Sequence, residues 1–426
     1  MTMAAKQSGA QRFPALEGLR AVGALCVLLT HVGFQSGDAV SGPFAGILAR
    51  LDVGVALFFV VSGFLLFRPY AVARLEGTPP PGVRTYLWHR ALRILPVLWV
   101  AVLASALLTP TAGVSWLDYL AVATFVQIYV DGPLVHGLTQ MWSLSTEVAF
   151  YLLLPVVGRL LTRRGSGRAW VRRTIGLCAA GVPLSAAWMA AVTAAGGSDA
   201  RVWLPGYVGW FGGGMALATW QAARAGRVVG RSRVDVLLEH PGTLWALALA
   251  IYAVVTSTVA GPYDLLEPAP GEAALKNLGY GLVGLLVVAP GVLVARTATN
   301  RAALDALSGR IASFLGRISY GVFAYHVCVL VLVERLLGLT TFDGRFWPRL
   351  IVTLPLSVLV AAVSFYAMER PVMRWGRRGE RFAATGVAGT LGPTPTGPHR
   401  IPPAGSLPEP TARSGRTIPT ARGPRR

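Results

Sequence analysis

A histidine near the end of the first apolar segment is the residue of this sequence best suited to chemistry. The segment runs from Arg12 to Gly33, with Glu17 and Arg20 near its start and His31 near its end. An ionisable side chain inside a membrane helix is costly, so it usually faces the bundle interior and marks a reactive centre or a substrate path. At about 1.5 Å per residue, His31 lies about 21 Å from Glu17, across most of a hydrocarbon core of about 30 Å. We predict that His31 is a general base; the alternative is a structural hydrogen bond.

Two arginines form a second candidate site. In the stretch WHRALRILP, Arg90 and Arg93 stand three residues apart and therefore share one helix face. Two guanidinium groups in this arrangement can bind a phosphate through paired hydrogen bonds. The alternative is that both anchor the helix at the cytoplasmic surface. Arg90 fits that alternative better than Arg93, which lies a turn further into the membrane.

The stretch QMWSLSTEVAFY brings a carboxylate into the membrane near the depth predicted for His31. Ser143 and Glu147 lie one helical turn apart in this stretch, and Glu147 could orient or balance the charge of a protonated His31. The alternative is a carboxylate that satisfies amide groups at the start of the helix. A second intramembrane histidine, His326 in SYGVFAYH, is interpreted as structural rather than catalytic.

The sequence lacks the motifs of several other kinds of active site. Ser62 and Ser143 have no histidine one or two turns away, a nucleophile elbow is absent, and the Ser62-Gly63 pair is interpreted as close helix packing. Because HExxH and paired Asp/Glu motifs are also absent, we expect no metal site. The net charge of +20 raises the question of nucleic acid. Its arginines lie in short links between apolar runs and near the C terminus, so we expect no nucleic-acid partner.

Transmembrane helices must position these residues. With 54% hydrophobic and 14% charged residues, the chain is predicted to be an all-α polytopic helix bundle in a lipid bilayer. The three cysteines lie within apolar runs and are interpreted as small core residues. At about 20 apolar residues per span, we predict ten helices, near 17–34, 51–68, 92–109, 140–160, 175–195, 203–221, 242–260, 278–296, 311–337 and 348–367.

Arginine-rich links alternate with arginine-poor ones, which predicts a multi-pass protein of the cell membrane with both termini in the cytoplasm. The apolar segment 117–130 is short, and counting it as a span would break this alternation. We predict that it is re-entrant or interfacial and buried in protein. Residues 1–376 are predicted to form the membrane domain. Residues 377–426, rich in Gly, Pro, Thr and Arg, are predicted to be a disordered cytoplasmic tail.

Six motifs in order resemble those of membrane acyltransferase family 3, the bacterial integral-membrane O-acyltransferases of surface glycans, peptidoglycan and some secreted metabolites. The likeness covers about residues 11–376. The motifs are LEGLRA…H (16–31), GVALFFVVSGFLL (54–66), RALRILP (90–96), MWSLSTEVAFYLLLP (141–155), ISYGVFAYH (318–326) and ERP (369–371).

The resemblance implies an O-acyltransferase that moves an acyl group, expected to be acetyl, from acyl-CoA to a hydroxyl of a saccharide or glycosylated metabolite. It maps the family's first-helix histidine to His31, its RxxR pair to Arg90 and Arg93, and its glutamate to Glu147. His31 would deprotonate the acceptor or first take the acyl group itself. No cofactor is expected to be bound permanently. Residues expected to support the substrate or the structure are Glu17, Arg20, Ser143, Tyr151 and His326.

Three departures from the family pattern and two competing classes accompany this interpretation. Glu17 stands where many members have Asp, and two candidate carboxylates are replaced, by Ala56 and Val148. A transporter or flippase would also place His and Arg along an intramembrane path, but we find neither an inverted repeat nor paired broken helices. A non-catalytic scaffold would leave the intramembrane His, Arg and Glu without a purpose. Transfer or hydrolysis of acetyl-CoA by purified protein separates these classes.

Overall fold

The computed structural model describes residues 12–197, 199–230, 235–236, 240–263, 266–293 and 302–376, and the regular structure there is helical, without strands. The predicted all-α helix bundle is thereby confirmed. The helices are α1 Pro14–Ser36, α2 Asp38–Ser41, α3 Ala45–Arg50, α4 Gly54–Glu76, α5 Val83–Leu108, α6 Trp116–Ala123, α7 Met141–Thr162, α8 Gly167–Ala194, α9 Val208–Ala225, α10 Pro241–Val255, α11 Pro270–Leu293, α12 Ala302–Leu307, α13 Arg310–Leu337 and α14 Phe346–Ser364.

Each of the ten predicted spans corresponds to a helix of the structure, but α9 and α10, which match the spans predicted near 203–221 and 242–260, are not among the helices long and apolar enough to cross a membrane. Eight helices of the described chain are long and apolar enough to cross a membrane. The first of them, α1, has Pro14 in its first turn and ends at Gly37, whose φ of 88° is a left-handed conformation that glycine adopts without strain. At 15 residues, α10 is only about 22 Å long. A five-residue π-helix, Phe365–Glu369, continues the chain beyond α14.

The connections between long helices gather at two ends of the bundle. At one end, called here the arginine-rich end, Arg74 donates a hydrogen bond to the carbonyl of Gly165, and Arg168 donates to Val228 at 3.3 Å. At the opposite end, the amide of Phe342 donates to Gln35 at 2.9 Å. The predicted alternation of arginine-rich and arginine-poor links therefore matches the two ends. Which end faces the cytoplasm remains a prediction.

Glycines allow the closest helix crossings. A side chain at Gly63 of α4 would overlap the carbonyl of Phe211 on α9, and one at Gly214 of α9 would overlap the carbonyl of Val60. Likewise, Gly316 of α13 abuts the backbone of α1. Such contacts stabilise membrane bundles because lipid supplies no hydrophobic force between helices. They bring α4 close to α9, and they bring α13, which carries His326, close to α1, which carries Arg20 and His31.

The segment 117–130 does not cross the bundle. Its helix α6 is only eight residues long, in agreement with the prediction that it is not a full span. The prediction that it is buried in protein is wrong for much of the segment, because five of its eleven apolar side chains, including Leu117 and Tyr129, are exposed. Val122 and Ile128 are buried, and Tyr119 and Phe125 pack against the core with part of their surface exposed. An interfacial position remains a prediction, and the predicted tail, 377–426, lies outside the described residues.

Candidate active site

Three arginines from two helices meet in one cavity. Arg20 of α1 and Arg90 and Arg93 of α5 line a cavity of about 80 Å³. Both helices begin at the arginine-rich end, and the three side chains lie about two to three turns from the helix starts. The other lining residues are Phe58, Phe59, Val61, Ser62, Leu65, Leu66, Ile94, Ser143, Leu144, Glu147, Tyr151, Tyr320 and Phe323. We call this space the arginine cavity.

The three guanidinium groups are only partly compensated. Each side chain is half-buried. Within the described chain, none of the three donates a hydrogen bond to a protein acceptor, and the Nε atom of Arg90 is buried without a partner. The carboxylates that act on them electrostatically include Glu147 for Arg20 and Glu369 for Arg93. Because half-buried charges are costly unless paired, this cluster has capacity for an added anion.

The carboxylate in the arginine cavity is held by a serine. The hydroxyl of Ser62 on α4 donates to the Oε1 atom of Glu147 on α7. Tyr151, one turn further along α7, lies within hydrogen-bonding reach of the same carboxylate. Ser143 lines the cavity, and its hydroxyl donates to the carbonyl of Gln140 at 3.2 Å. The structure therefore brings together Glu147, Ser143 and Tyr151 with the arginines.

His31 lies outside this cavity and is paired with the second intramembrane histidine. The two imidazole rings are edge to face with centroids 5.0 Å apart, and Nε2 of His326 lies 3.3 Å from Nδ1 of His31. His326 is fully buried. Its ring centroid lies 6.1 Å from that of Phe323, which lines the arginine cavity. The pair of histidines therefore adjoins the inner wall of the cavity.

Carbonyl groups fix the tautomers of both histidines. Nδ1 of His31 lies 2.7 Å from the carbonyl oxygen of Val27, and Nδ1 of His326 lies 2.8 Å from that of Phe323. A carbonyl oxygen only accepts, so both Nδ1 atoms carry hydrogen in the neutral rings. Nε2 of His326 is then an acceptor for His31. Nε2 of His31 keeps a lone pair, and it has no hydrogen-bond partner in the described chain.

The positions of the predicted residues differ from the expected arrangement in two respects. Glu147 bonds Ser62, whereas the acceptors at His31 Nδ1 are the Val27 carbonyl and His326. Glu17 is not among the residues that line the cavity. Its carboxylate is 3.9 Å from Arg317 at the arginine-rich end, where both side chains are almost half exposed.

Sequence reasoning missed two residues near the arginines. Ser62 was interpreted as packing because its partner Glu147 is 85 positions away. Glu369, in the closing ERP motif, is buried, has an unpartnered Oε1 atom and acts electrostatically on Arg93. The motif itself was the available signal for Glu369. The unspecific SG pair in an apolar helix gave no comparable signal for Ser62.

A membrane helix bundle with an intramembrane imidazole and an adjoining cluster of arginines defines the class of this protein. Residues 13–369 match the family model described as an acyltransferase domain, and the chain belongs to that family. The predicted membership of membrane acyltransferase family 3 is confirmed. The chain is a membrane acyltransferase with several apolar spans.

Three relatives illustrate the family. The chain is 26% identical over 388 residues to the putative peptidoglycan O-acetyltransferase YrhL of Bacillus subtilis (strain 168), covering 86% of this chain and 55% of that protein. It is also 26% identical over 388 residues to the acyltransferase MdmB of Streptomyces mycarofaciens, covering 86% and 93%. Nodulation protein 10 of Rhizobium leguminosarum bv. viciae is 24% identical over 383 residues, covering 84% and 92%. The chain thus spans about half the length of the first relative. No solved structure gives a significant match.

Proposed function

We propose that this protein transfers an acetyl group from acetyl-CoA to a hydroxyl of a saccharide or of a glycosylated metabolite. One observation carries the proposal: unpaired guanidinium groups at one end of the bundle adjoin a histidine whose Nε2 lone pair is available. The first supplies a site for a polyanionic donor, and the second supplies a base. Intramembrane arginines and histidines would also suit a transporter, but membership of the family favours acyl transfer.

The chemistry of the donor fits the arginine cavity. Coenzyme A carries several phosphates, and guanidinium groups bind phosphate oxygens through paired, charge-assisted hydrogen bonds. Arg90 and Arg93 share a face of α5, and Arg20 approaches them from α1. At about 80 Å³, the cavity is too small for the nucleotide, so only the thin pantetheine arm would enter it. The phosphates would stay at the arginines while the thioester extends towards His31.

The relatives support the class of acceptor. The relative from Bacillus subtilis is named a putative peptidoglycan O-acetyltransferase, and peptidoglycan is a polymer that contains hydroxyl-bearing sugars. A sugar hydroxyl is a poor nucleophile until a base removes its proton. The reaction therefore requires a base close to the thioester, and this is the role proposed for His31.

The contacts of His31 fit a base that gains charge during the reaction. Its Nε2 takes the proton of the acceptor hydroxyl as the oxygen attacks the thioester carbon. The carbon–sulfur bond then breaks, and the proton passes to the departing CoA sulfur. While His31 is protonated, its Nδ1–H donates to two acceptors, the Val27 carbonyl and Nε2 of His326. These neutral acceptors would take the place of the carboxylate that orients many catalytic histidines.

Replacement of His31 tests the proposal. Cells that produce the His31→Ala protein should contain about 10²–10⁴-fold less enzyme-dependent, alkali-labile acetate on their saccharides than cells that produce the wild type, because general-base catalysis is lost. Binding of radiolabelled acetyl-CoA to the purified protein should be retained. His136→Ala, at an exposed histidine of the opposite end, is the matched control and should behave like the wild type. Wild-type acetate levels with His31→Ala would exclude the proposed base.

A further inference from the structure

A second, larger cavity opens at the end of the bundle opposite to the arginines. Its volume of about 370 Å³ lies in the usual range for small-molecule sites, about 300–1,000 Å³. We call it the opposite-end cavity. Its lining includes Asp52, Trp142, Tyr207, Trp210, Lys276 and Tyr280.

Its charged groups are already paired within the protein. Nζ of Lys276 lies 2.9 Å from Oδ2 of Asp52, and the hydroxyl of Tyr280 donates to the same carboxylate. The guanidinium of Arg50 donates to four backbone carbonyls, among them that of Gly261 at 2.7 Å. Arg201 pairs with Glu267 at 2.6 Å. Because each charged group is already ion-paired or hydrogen-bonded within the protein, the cavity suits an uncharged ligand with many hydroxyl groups.

Aromatic rings form one continuous wall of the cavity. The ring centroids of Trp142 and Tyr207 are 5.6 Å apart, those of Tyr207 and Trp210 are 4.8 Å apart, and those of Trp210 and Tyr280 are 6.2 Å apart. The face of an aromatic ring is negative and attracts the weakly positive C–H groups that line the faces of a sugar ring. Side chains of Asp52, Lys276 and Asn277 offer hydrogen-bonding groups beside this wall. Both features are those of a saccharide pocket.

The opposite-end cavity borders the same reacting group as the arginine cavity. On α7, Trp142 lines the opposite-end cavity, and the next residue, Ser143, lines the arginine cavity. On α1, Phe34 lines the opposite-end cavity one turn beyond His31. The charge of Asp52 also acts on the His31 imidazole. The histidine therefore lies between the two cavities.

We infer that the opposite-end cavity is the pocket for the acceptor, and that it binds an uncharged sugar ring at the outer face of the membrane. The aromatic wall from Trp142 to Tyr280 would stack on the sugar, and Asp52 would accept a hydrogen bond from one of its hydroxyls. Another hydroxyl of the same ring would then face Nε2 of His31. This inference rests on the proposed function and on the orientation predicted from the arginines.

The experiment uses the full chain in cells and as purified protein. Alkali-labile acetate on cell saccharides measures transfer, and binding of radiolabelled acetyl-CoA to the purified protein measures the donor site. Asp52→Asn should lower transfer about tenfold, since a hydrogen bond to a charged group is lost. Binding of acetyl-CoA should stay within about twofold of the wild type, because the arginine cavity is unchanged. A parallel loss of both would overturn the inference.

A blocking experiment avoids reliance on Asp52. Leu266 lines the cavity and is 69% exposed, whereas Leu336, at the same end and 74% exposed, is outside its lining. A bulky, membrane-impermeant maleimide added to intact cells should stop transfer by Leu266→Cys but not by Leu336→Cys. Mass spectrometry of each protein measures the extent of labelling. Full transfer by labelled Leu266→Cys would overturn the inference, as would failure of the reagent to reach either cysteine.

The outcomes distinguish failure of the pocket assignment from failure of the proposed function. If the wild type neither binds acetyl-CoA nor adds alkali-labile acetate relative to cells without the protein, the proposed function fails and the pocket assignment fails with it. If the wild type does both, but Asp52→Asn and the labelled Leu266→Cys protein transfer acetate at the wild-type level, only the pocket assignment fails.

Discussion

The two cavities differ in how their charges are compensated. In the arginine cavity, Arg20, Arg90 and Arg93 have no hydrogen-bonded acceptor within the described chain, although carboxylates lie near. In the opposite-end cavity, Asp52 and Lys276 are paired with each other. Unpaired cations in a half-buried site require an anion from elsewhere, whereas paired charges leave hydrogen-bonding groups for a neutral ligand. The comparison supports the proposal that the bundle takes one anionic and one uncharged substrate.

Among the substitutions that test this comparison, those of the cavity arginines are expected to have the largest effect. Replacing Arg93 by Gln should raise the KM for acetyl-CoA about 10- to 100-fold, because charge-assisted hydrogen bonds to phosphate are lost. The same effect is expected for Arg90→Gln. Raised salt should weaken donor binding by the wild type more than by either variant, because fewer charges remain to be screened. The rate of transfer at a series of acetyl-CoA concentrations measures the KM, and titration of purified protein with radiolabelled acetyl-CoA at two salt concentrations measures the effect of salt on binding.

Arg84 provides the matched control for this experiment. It is an exposed arginine near the start of α5, on the same helix as the pair but outside the cavity lining. Arg84→Gln should leave the KM for acetyl-CoA unchanged. Equal losses for Arg84→Gln and Arg93→Gln would mean that general surface charge attracts the donor, and the contrast between the cavities would then lose its meaning.

The helices could be predicted from the sequence because lipid imposes a simple rule on them. A span needs about 20 apolar residues, and each of the ten predicted spans has a counterpart in the structure. Boundaries are less predictable where a helix continues past its apolar run. The helix α5 begins at Val83, nine residues before the predicted start at 92, because its first turns are polar enough to leave the membrane. The segment 117–130 was misjudged because apolar composition does not distinguish burial in protein from exposure.

The candidate site was only partly predictable for a geometric reason. Position along a helix gives depth, so His31 and Glu147 were expected at similar levels, but depth does not reveal which way each side chain faces. The helix rotations turn Glu147 towards Ser62 and turn His31 towards His326. Asp52 attracted no attention because it precedes an apolar motif in a short connection, and only the folded chain brings it to Lys276.

The pair of histidines lies between the two cavities, and replacing His326 tests its contribution to catalysis by His31. Replacing His326 by Leu removes one acceptor from His31 Nδ1 and should lower kcat about tenfold, in line with the loss of a hydrogen bond to a charged group. His326→Gln, whose side-chain oxygen can accept near the position of Nε2, should recover part of the loss. The KM for acetyl-CoA should remain unchanged in both variants. If His326 had only a structural role, its replacement would instead lower the yield of folded protein, and the Leu and Gln variants would not differ in kcat.

A smaller effect is expected at the one carboxylate that lines the arginine cavity. Ser62→Ala removes the hydroxyl that donates to Glu147, while Ser62→Thr retains a donor. We expect the first change to lower kcat/KM for acetyl-CoA by about three- to tenfold, because an acceptor next to Arg20 loses its partner. The second change should have a smaller effect. Identical kinetics for Ala and wild type would show that Ser62 only packs, as its SG motif indicates.

A charge cluster outside the lining of both cavities should affect stability without affecting transfer. Arg349 of α14 is fully buried and lies 2.7 Å from Glu334 and 2.5 Å from Asp343, which is in the loop between α13 and α14. The hydrogen bond from Arg349 lowers the pKa of Asp343 to about 2, from an ordinary value of about 3.9. A carboxylate with a lowered pKa stabilises the fold above the pKa of the unfolded chain, and that contribution is lost as pH falls towards 2.

The melting temperature of the purified protein should therefore fall between about pH 4 and pH 2, and Asp343→Asn should weaken this dependence. At neutral pH the variant should melt a few degrees lower while its kcat and the KM for acetyl-CoA match the wild type. This separates two uses of paired charge at one end of the bundle, because Asp52 and Lys276 border a cavity whereas Asp343 and Arg349 fasten a loop. Loss of transfer in the folded Asp343→Asn protein would show that this loop also shapes the acceptor pocket.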